Sequence, residues 1–240
     1  VLAPGETVDM VIVRENTEGE YSEIGGRVGR GTEHEIAIQD NVFTRRGVER
    51  IARFAMDQAR MRSGRVTSAT TSNGSIHTMP FWDERFKAVS QQYPEVKTAQ
   101  FHIDILTAHF VIHPDWFDVV VGSNLFGDIL SDLGPAIAGS IGIAASAKLY
   151  PEKEFPSMFE PVHGSAPDIA GNGIAKPIGT FWSAQMMLEF LGEIKAAQSL
   201  MKAIEAVTAK HIFTPDIGGK ATTTEFTEAV LSELTRTGRN

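Results

Sequence analysis

The feature that most restricts the fold is an alternation of short apolar runs with longer stretches whose apolar residues recur every three to four positions. Val8 to Val13 is such a run, rich in branched residues, and it delivers charged Arg14 and Glu15 at its end. That pattern predicts a buried strand opening onto a polar loop, Arg14 through Tyr21. From Thr44 to Arg62, Val48, Ile51, Ala52, Ala55, Met56 and Ala59 share one helical face, with Arg45, Arg46, Arg53 and Arg60 left to the solvent side. The pattern then repeats: strand at Arg65 to Ala69, helix at Met79 to Gln92, strand at Thr98 to Ile103, helix from Ile105, strand at Val119 to Gly122. Such alternation predicts α/β layers. Gly25 to Gly31 and His34 to Ile38 read instead as an exposed hairpin, an arm. Beyond Gly122, helices are expected at Ser183 to Gly192, Ile194 to Lys210 and Thr223 to Arg236. The glycine-rich segments His163 to Gly173 and Asp216 to Gly219 separate them, and loops of that kind approach ligands.

Composition narrows the function classes. A formal net charge of -8 over 240 residues argues against nucleic acid, whose phosphates need clustered Lys and Arg. No apolar stretch reaches the ~20 residues of a membrane span, so no membrane partner is expected. The chain has no cysteine, which excludes disulfides and thiolate chemistry, leaves only oxygen or imidazole ligands for a metal, and suits a reducing cytoplasm. The start at Val1, with neither a signal nor a transit pattern up to Thr7, reads as a cut.

Asp128 and Asp132 follow the strand at Val119 to Gly122 and stand four apart, on one face of a starting helix, where two carboxylates repel unless a cation lies between them. Oxygen ligands suit Mg²⁺ or Mn²⁺. An N-terminal helical turn that welcomes acids explains the pair equally well. The segment His163-Gly164-Ser165-Ala166-Pro167-Asp168-Ile169 offers loop amides and one acid, as a pyrophosphate and ribose site would, but also reads as a loop with Asp168 as a helix N-cap. His109 and His113 have zinc-pair spacing without the intervening glutamate, and Pro114 ends the element at once. No serine-hydrolase elbow or phosphate-binding lysine loop is present.

Taken together, Arg14 to Tyr21 (Arg-Glu-Asn-Thr-Glu-Gly-Glu-Tyr), His102-Ile103-Asp104, Asn124 to Asp132, Glu160 to Gly171, and Asp216-Ile217-Gly218-Gly219 resemble the β-decarboxylating dehydrogenases, the family of isocitrate, 3-isopropylmalate, D-malate and tartrate dehydrogenases. The loop after Arg14, Thr70 to Gly74, and His113 to Asp118 are most similar to the tartrate/D-malate branch. The resemblance implies an isopropylmalate-dehydrogenase-like three-layer α/β fold in two domains. Residues 1-138 would be the dimerisation and metal/substrate domain, with an arm at about 22-40, and residues 139-240 the C-terminal half of an NAD-binding domain whose N-terminal part is missing.

The resemblance also implies roles. Arg14 would hold a substrate carboxylate, and Tyr21 would move a proton at the carbon that loses CO₂. Asp104 from one subunit and Asp128 and Asp132 from the other would bind Mg²⁺ or Mn²⁺ beside the substrate hydroxyl in a homodimer. Asn73, Glu160, His163, Gly164, Ser165, Ala166, Asp168, Ile169, Lys176 and Asp216 would hold the cofactor. Asp168 would favour NAD by repelling a 2'-phosphate. The implied substrate is a small 2-hydroxy dicarboxylic acid such as tartrate or D-malate, with 3-isopropylmalate or isocitrate as alternatives. Two residues depart from the family. Thr71 stands where a proton-handling lysine is expected, so it inherits a catalytic position without that chemistry. Lys176 replaces an asparagine beside the adenine. A catalytically impaired relative or fragment that still binds ligand is therefore the competing reading.

Overall fold

The computed structural model describes residues 8–237; the start at Val1, read above as a cut, lies outside them. The chain divides after Ala138 into two compact units, the second beginning at Gly139.

In the first unit, β1 (Val11–Arg14), β4 (Arg65–Thr70), β5 (Lys97–His102) and β6 (Val119–Gly122) form a parallel sheet in the order β1-β6-β4-β5. All four residues of β6 are buried, because it lies between β1 and β4 with helices packed against the sheet. This is why it reads as an unbroken apolar run rather than an alternating one. Helix α1 (Arg45–Arg60) packs with α2 (Thr78–Ser90), and α3 (Ile103–Ile112) packs with α4 (Asn124–Ala138). The stripe of α1 is buried as its periodicity requires, with Val48, Ala52, Ala55, Met56 and Ala59 at 0–1% exposure. Thr44 caps the helix, its side chain accepting from Gly47 N–H. The arginines of that helix do not simply face water: Arg45 and Arg53 both pair with Glu49, and Arg60 pairs with Asp57 and Glu95.

Strands β2 (Gly25–Val28) and β3 (Ile36–Gln39) form the antiparallel hairpin, exposed along its whole length. The second unit holds a hairpin that periodicity did not reveal, β7 (Ala145–Lys148) with β8 (Met158–Pro161). Helices α5 (Ile178–Phe190), α6 (Ile194–Ala209) and α7 (Thr223–Thr237) accompany it around Ile178, Leu200, Ile204, Val207, Phe226 and Val230. Helix α5 begins five residues before the expected Ser183, and α3 starts at Ile103, which puts Asp104 in its first turn.

Candidate functional site

A parallel sheet brings the carboxyl ends of its strands to one edge, where the loops that follow can share a ligand. Arg14 is the last residue of β1, Thr71 follows β4, Asp104 stands two residues past β5, and Asn124 stands two past β6. Four segments far apart in sequence therefore open onto one edge.

Arg14 is the hub. Its Nε and Nη2 donate to Asn124 Oδ1 at 3.0 and 2.7 Å, and its other terminal nitrogen forms a close ion pair with Asp128 Oδ1. Tyr21 Oη donates to the second Asp128 oxygen at 3.0 Å. Partial burial, together with the bond to the negative Asp128, pushes the Tyr21 hydroxyl above its ordinary pKa even though Arg14 acts in the opposite sense. Tyr21 therefore keeps its proton at neutral pH. An open cavity of about 530 Å³ adjoins this cluster, lined by Arg14, Thr17, Tyr21, Ile24 and Asn124 among others.

The glutamates of the intervening loop are committed to the scaffold. Glu15, 1% exposed, is paired with Arg50 at 3.2 Å and accepts from Thr17 N–H at 2.8 Å. Glu18 accepts from Thr44 N–H and Oγ1, both at 2.8 Å, at the head of α1. Glu20 accepts from Ser123 Oγ at 2.6 Å and Leu125 N–H at 3.0 Å, at the head of α4. Carboxylates suit these places because the helix starts present unpaired N–H groups and positive dipole ends. Gly127 completes the packing: a methyl group there would stand 2.5 Å from Arg14 Cβ and Cγ. Asn124, Glu18 and Glu20 had been assigned no role from sequence. For Asn124 the available signal was its place just past a strand that ends at the site edge.

Helix α4 starts at Asn124, so Asp128 and Asp132 lie in its second and third turns rather than at a helix start. Dipole stabilisation falls off within the first turn, so it does not account for the pair. Both are hard oxygen donors on one face, Asp132 exposed, which fits Mg²⁺ or Mn²⁺. Among the described residues of one chain, no three His, Asp or Glu side chains gather as a metal site, so Asp104 does not join Asp128 and Asp132 within a chain. Thr71 Oγ1 bonds Asn73 Oδ1 at 3.3 Å. His113 stacks on Trp116, with centroids 4.0 Å apart, and His109 packs against Phe101 and Trp116.

In the second unit, His163, Gly164, Ser165, Ala166 and Asp168 lie exposed in an open loop, with Ile169 half-buried. Ala166 takes a left-handed conformation, φ 43°, and Ile169 N–H closes a turn onto its carbonyl at 3.1 Å. No helix starts at Asp168, so the capping explanation fails and its carboxylate points to no helix end. Exposed backbone of this kind suits a pyrophosphate. Glu160 pairs with Lys148 at 3.1 Å across the β7–β8 hairpin. Lys176 and Asp216 meet at 2.7 Å.

Arg14, Tyr21 and the paired Asp128 and Asp132 thus stand at the carboxyl edge of a parallel α/β sheet. A family model described as isocitrate/isopropylmalate dehydrogenase matches residues 2–230, and the chain belongs to that family. It is 56% identical over 239 residues to the D-malate dehydrogenase [decarboxylating] of Escherichia coli, covering 97% of this chain and 66% of that protein. It is 55% identical over 236 residues to the tartrate dehydrogenase/decarboxylase of Pseudomonas putida, covering 95% of this chain and 65% of that protein. The chain thus spans about two thirds of the length of these curated relatives. Among solved structures, isocitrate dehydrogenase from Methylococcus capsulatus superposes with a TM-score of 0.88 at 36% identity, covering 95% of this chain and 67% of that one. A β-decarboxylating dehydrogenase from Thermococcus kodakarensis gives 0.79 at 39% identity, covering 95% and 65%.

Proposed function

We propose that this chain serves NAD-dependent, Mg²⁺- or Mn²⁺-dependent oxidation and decarboxylation of a small 2-hydroxy dicarboxylic acid of the tartrate or D-malate kind. The observation that carries the reading is the convergence of Arg14 and Tyr21 on the two oxygens of Asp128 at the carboxyl edge of the sheet. The names of the relatives, which pair dehydrogenation with decarboxylation on malate and tartrate, support it.

When bound, NAD supplies a hydride acceptor for C2 and the divalent cation a positive charge beside the 2-hydroxyl. The chain's own groups would bind the substrate and return a proton to it. Arg14 exchanges Asp128 for a substrate carboxylate, with Asn124 fixing the plane of its guanidinium. Once C2 has given up its hydride and the 2-hydroxyl its proton to bulk water, the C3–CO₂ bond would break, its electron pair passing to the C2 oxygen as an enolate, and the protonated Tyr21 would return a proton to C3. Asp128 and Asp132 would hold the cation together with Asp104 of a second copy. The exposed β2–β3 hairpin favours that second copy, because an isolated two-stranded hairpin is marginal in water and Val28, Ile36 and Ile38 are each more than half exposed. NAD would lie along the loop from His163 to Ile169. No described helix is long and apolar enough to cross a membrane, and a cysteine-free enzyme of this kind suits the cytoplasm.

A second reading, a catalytically impaired relative, rests on Thr71, whose hydroxyl bonds Asn73 and lacks the charge and pKa of the expected lysine. The test is NADH formation with Mn²⁺ and D-malate, tartrate, 3-isopropylmalate or isocitrate, for the parent and Thr71→Lys. Turnover by the parent on D-malate or tartrate is the expected result. Turnover by Thr71→Lys alone would support the impaired reading, and none from either protein would overturn both the substrate class and the role of Thr71.

A further inference from the structure

Lys176 is a buried cation, its side chain 2% exposed, at the position where the resemblance leads one to expect asparagine. Burying an ammonium is costly unless an opposite charge accompanies it. Here Asp216 does, as an ion pair at 2.7 Å, and no acceptor among the described residues meets the ammonium in hydrogen-bonding geometry. Asp216 is in turn fully engaged. Its Oδ2 also accepts from Ser140 Oγ at 2.8 Å, and its Oδ1 accepts from Thr214 Oγ1 at 2.6 Å. Partial burial alone would raise this carboxyl, but Lys176, Thr214 and Ser140 outweigh it and hold the group below the ordinary carboxylate range.

These contacts gather three loops. Ser140 precedes Gly142, whose missing side chain leaves room for the Lys176 stem, 3.4 Å from where a Cβ would stand. The segment before Lys176 is tied to the head of α7 by the Thr223 N–H bond to Gly173 O at 2.8 Å. Thr214 and Asp216 belong to the glycine-rich turn that ends at Gly219, where the Gly219 N–H bonds Thr214 O at 3.1 Å.

We propose that Lys176 and Asp216 act as one coupled pair of positioning residues, which locks these three loops and thereby sets how tightly the second unit binds a dinucleotide, without Asp216 contacting the ligand. The proposal rests on the reading of the second unit as the dinucleotide-binding half. It accounts for lysine at position 176: the pair is neutral, whereas asparagine there would leave the half-exposed Asp216 carboxylate uncompensated near an anionic ligand.

A double-mutant cycle on the full chain tests this, with NADH affinity by fluorescence titration and ligand-free melting as separate readouts. Lys176→Met strands the carboxylate and Asp216→Asn strands the ammonium, so each is expected to weaken NADH binding about tenfold, while the double variant returns to within about threefold of the parent. In the active protein the KM for NAD should rise in each single variant and recover in the double, in step with the NADH affinities. Additive losses, as from two independent ligand contacts, would overturn the proposal. Melting losses with unaltered NADH affinity would also overturn it, because the lock would then have no consequence for the ligand. A parent that binds no NADH would overturn the reading of the second unit and the ligand half of the proposal with it, and the melting cycle would then decide whether the pair locks the loops.

Discussion

The loop from Arg14 to Tyr21 and the loop from His163 to Gly173 differ in how their polar groups are occupied. In the first, Arg14, Glu15, Glu18, Glu20 and Tyr21 each have partners within the unit, and a single methyl group at Gly127 would collide with Arg14. In the second, most residues from His163 to Asp168 are exposed, and a methyl group at Gly164 would meet nothing within 4 Å. The contrast separates two ways of building a site. One is preorganised, so that little ordering remains to oppose binding. The other keeps its backbone accessible, so that a ligand bound there would have to order it.

The comparison breaks most visibly if Arg14→Lys is tolerated. A lysine cannot reach Asn124 and Asp128 together, so kcat/KM is expected to fall roughly 10²-fold or more, measured by initial rates of NADH formation. Next in size, Gly127→Ala should cost about 1–3 kcal/mol in chemical denaturation, because the Arg14 stem must move. A loss below about 0.5 kcal/mol would show that the first loop has slack.

The first unit should also carry an acid-sensitive component at Asp118. Its carboxyl is held below the ordinary value: burial opposes this, but Ser63, Arg62 and the Arg65 N–H prevail. A depressed folded pKa contributes stability above the unfolded value, about 3.9, that is lost as pH falls through the folded one. Asp118→Asn should therefore be less stable than the parent at pH 7 by about 1–2 kcal/mol, with the gap closing below about pH 4. A gap that persists unchanged at pH 3 would assign the effect to shape instead of charge. Smallest of all, Gly164→Ala should change stability by less than about 0.5 kcal/mol. A large loss there would mean that the open loop is as tightly built as the first.

The first unit was legible wherever one period dominated. The bounds of β6 and the buried face of α1 follow directly from apolar spacing, and the carboxyl-edge location of Arg14 follows from a strand ending in charge. The β7–β8 hairpin was not legible, because its strands are half-exposed and ASAK carries no alternation strong enough to mark it. The start of α4 was misplaced because Asn124 to Gly127 reads as loop, yet Glu20, distant in sequence, supplies the cap that lets the helix begin at Asn124. The roles of Glu18 and Glu20 were hidden for the same reason. A carboxylate that caps a helix 26 or 105 positions away leaves no local signature.

That arrangement has a consequence for how the first unit opens. Two neighbouring glutamates on one short segment hold the heads of two separate helices, α1 and α4, so neither end can fray without loosening the other's tether. In native-state hydrogen exchange, the amides of Thr44 and Leu125, which Glu18 and Glu20 accept, should therefore exchange as members of one cooperative unit, with shared dependence on denaturant, although 81 residues separate them.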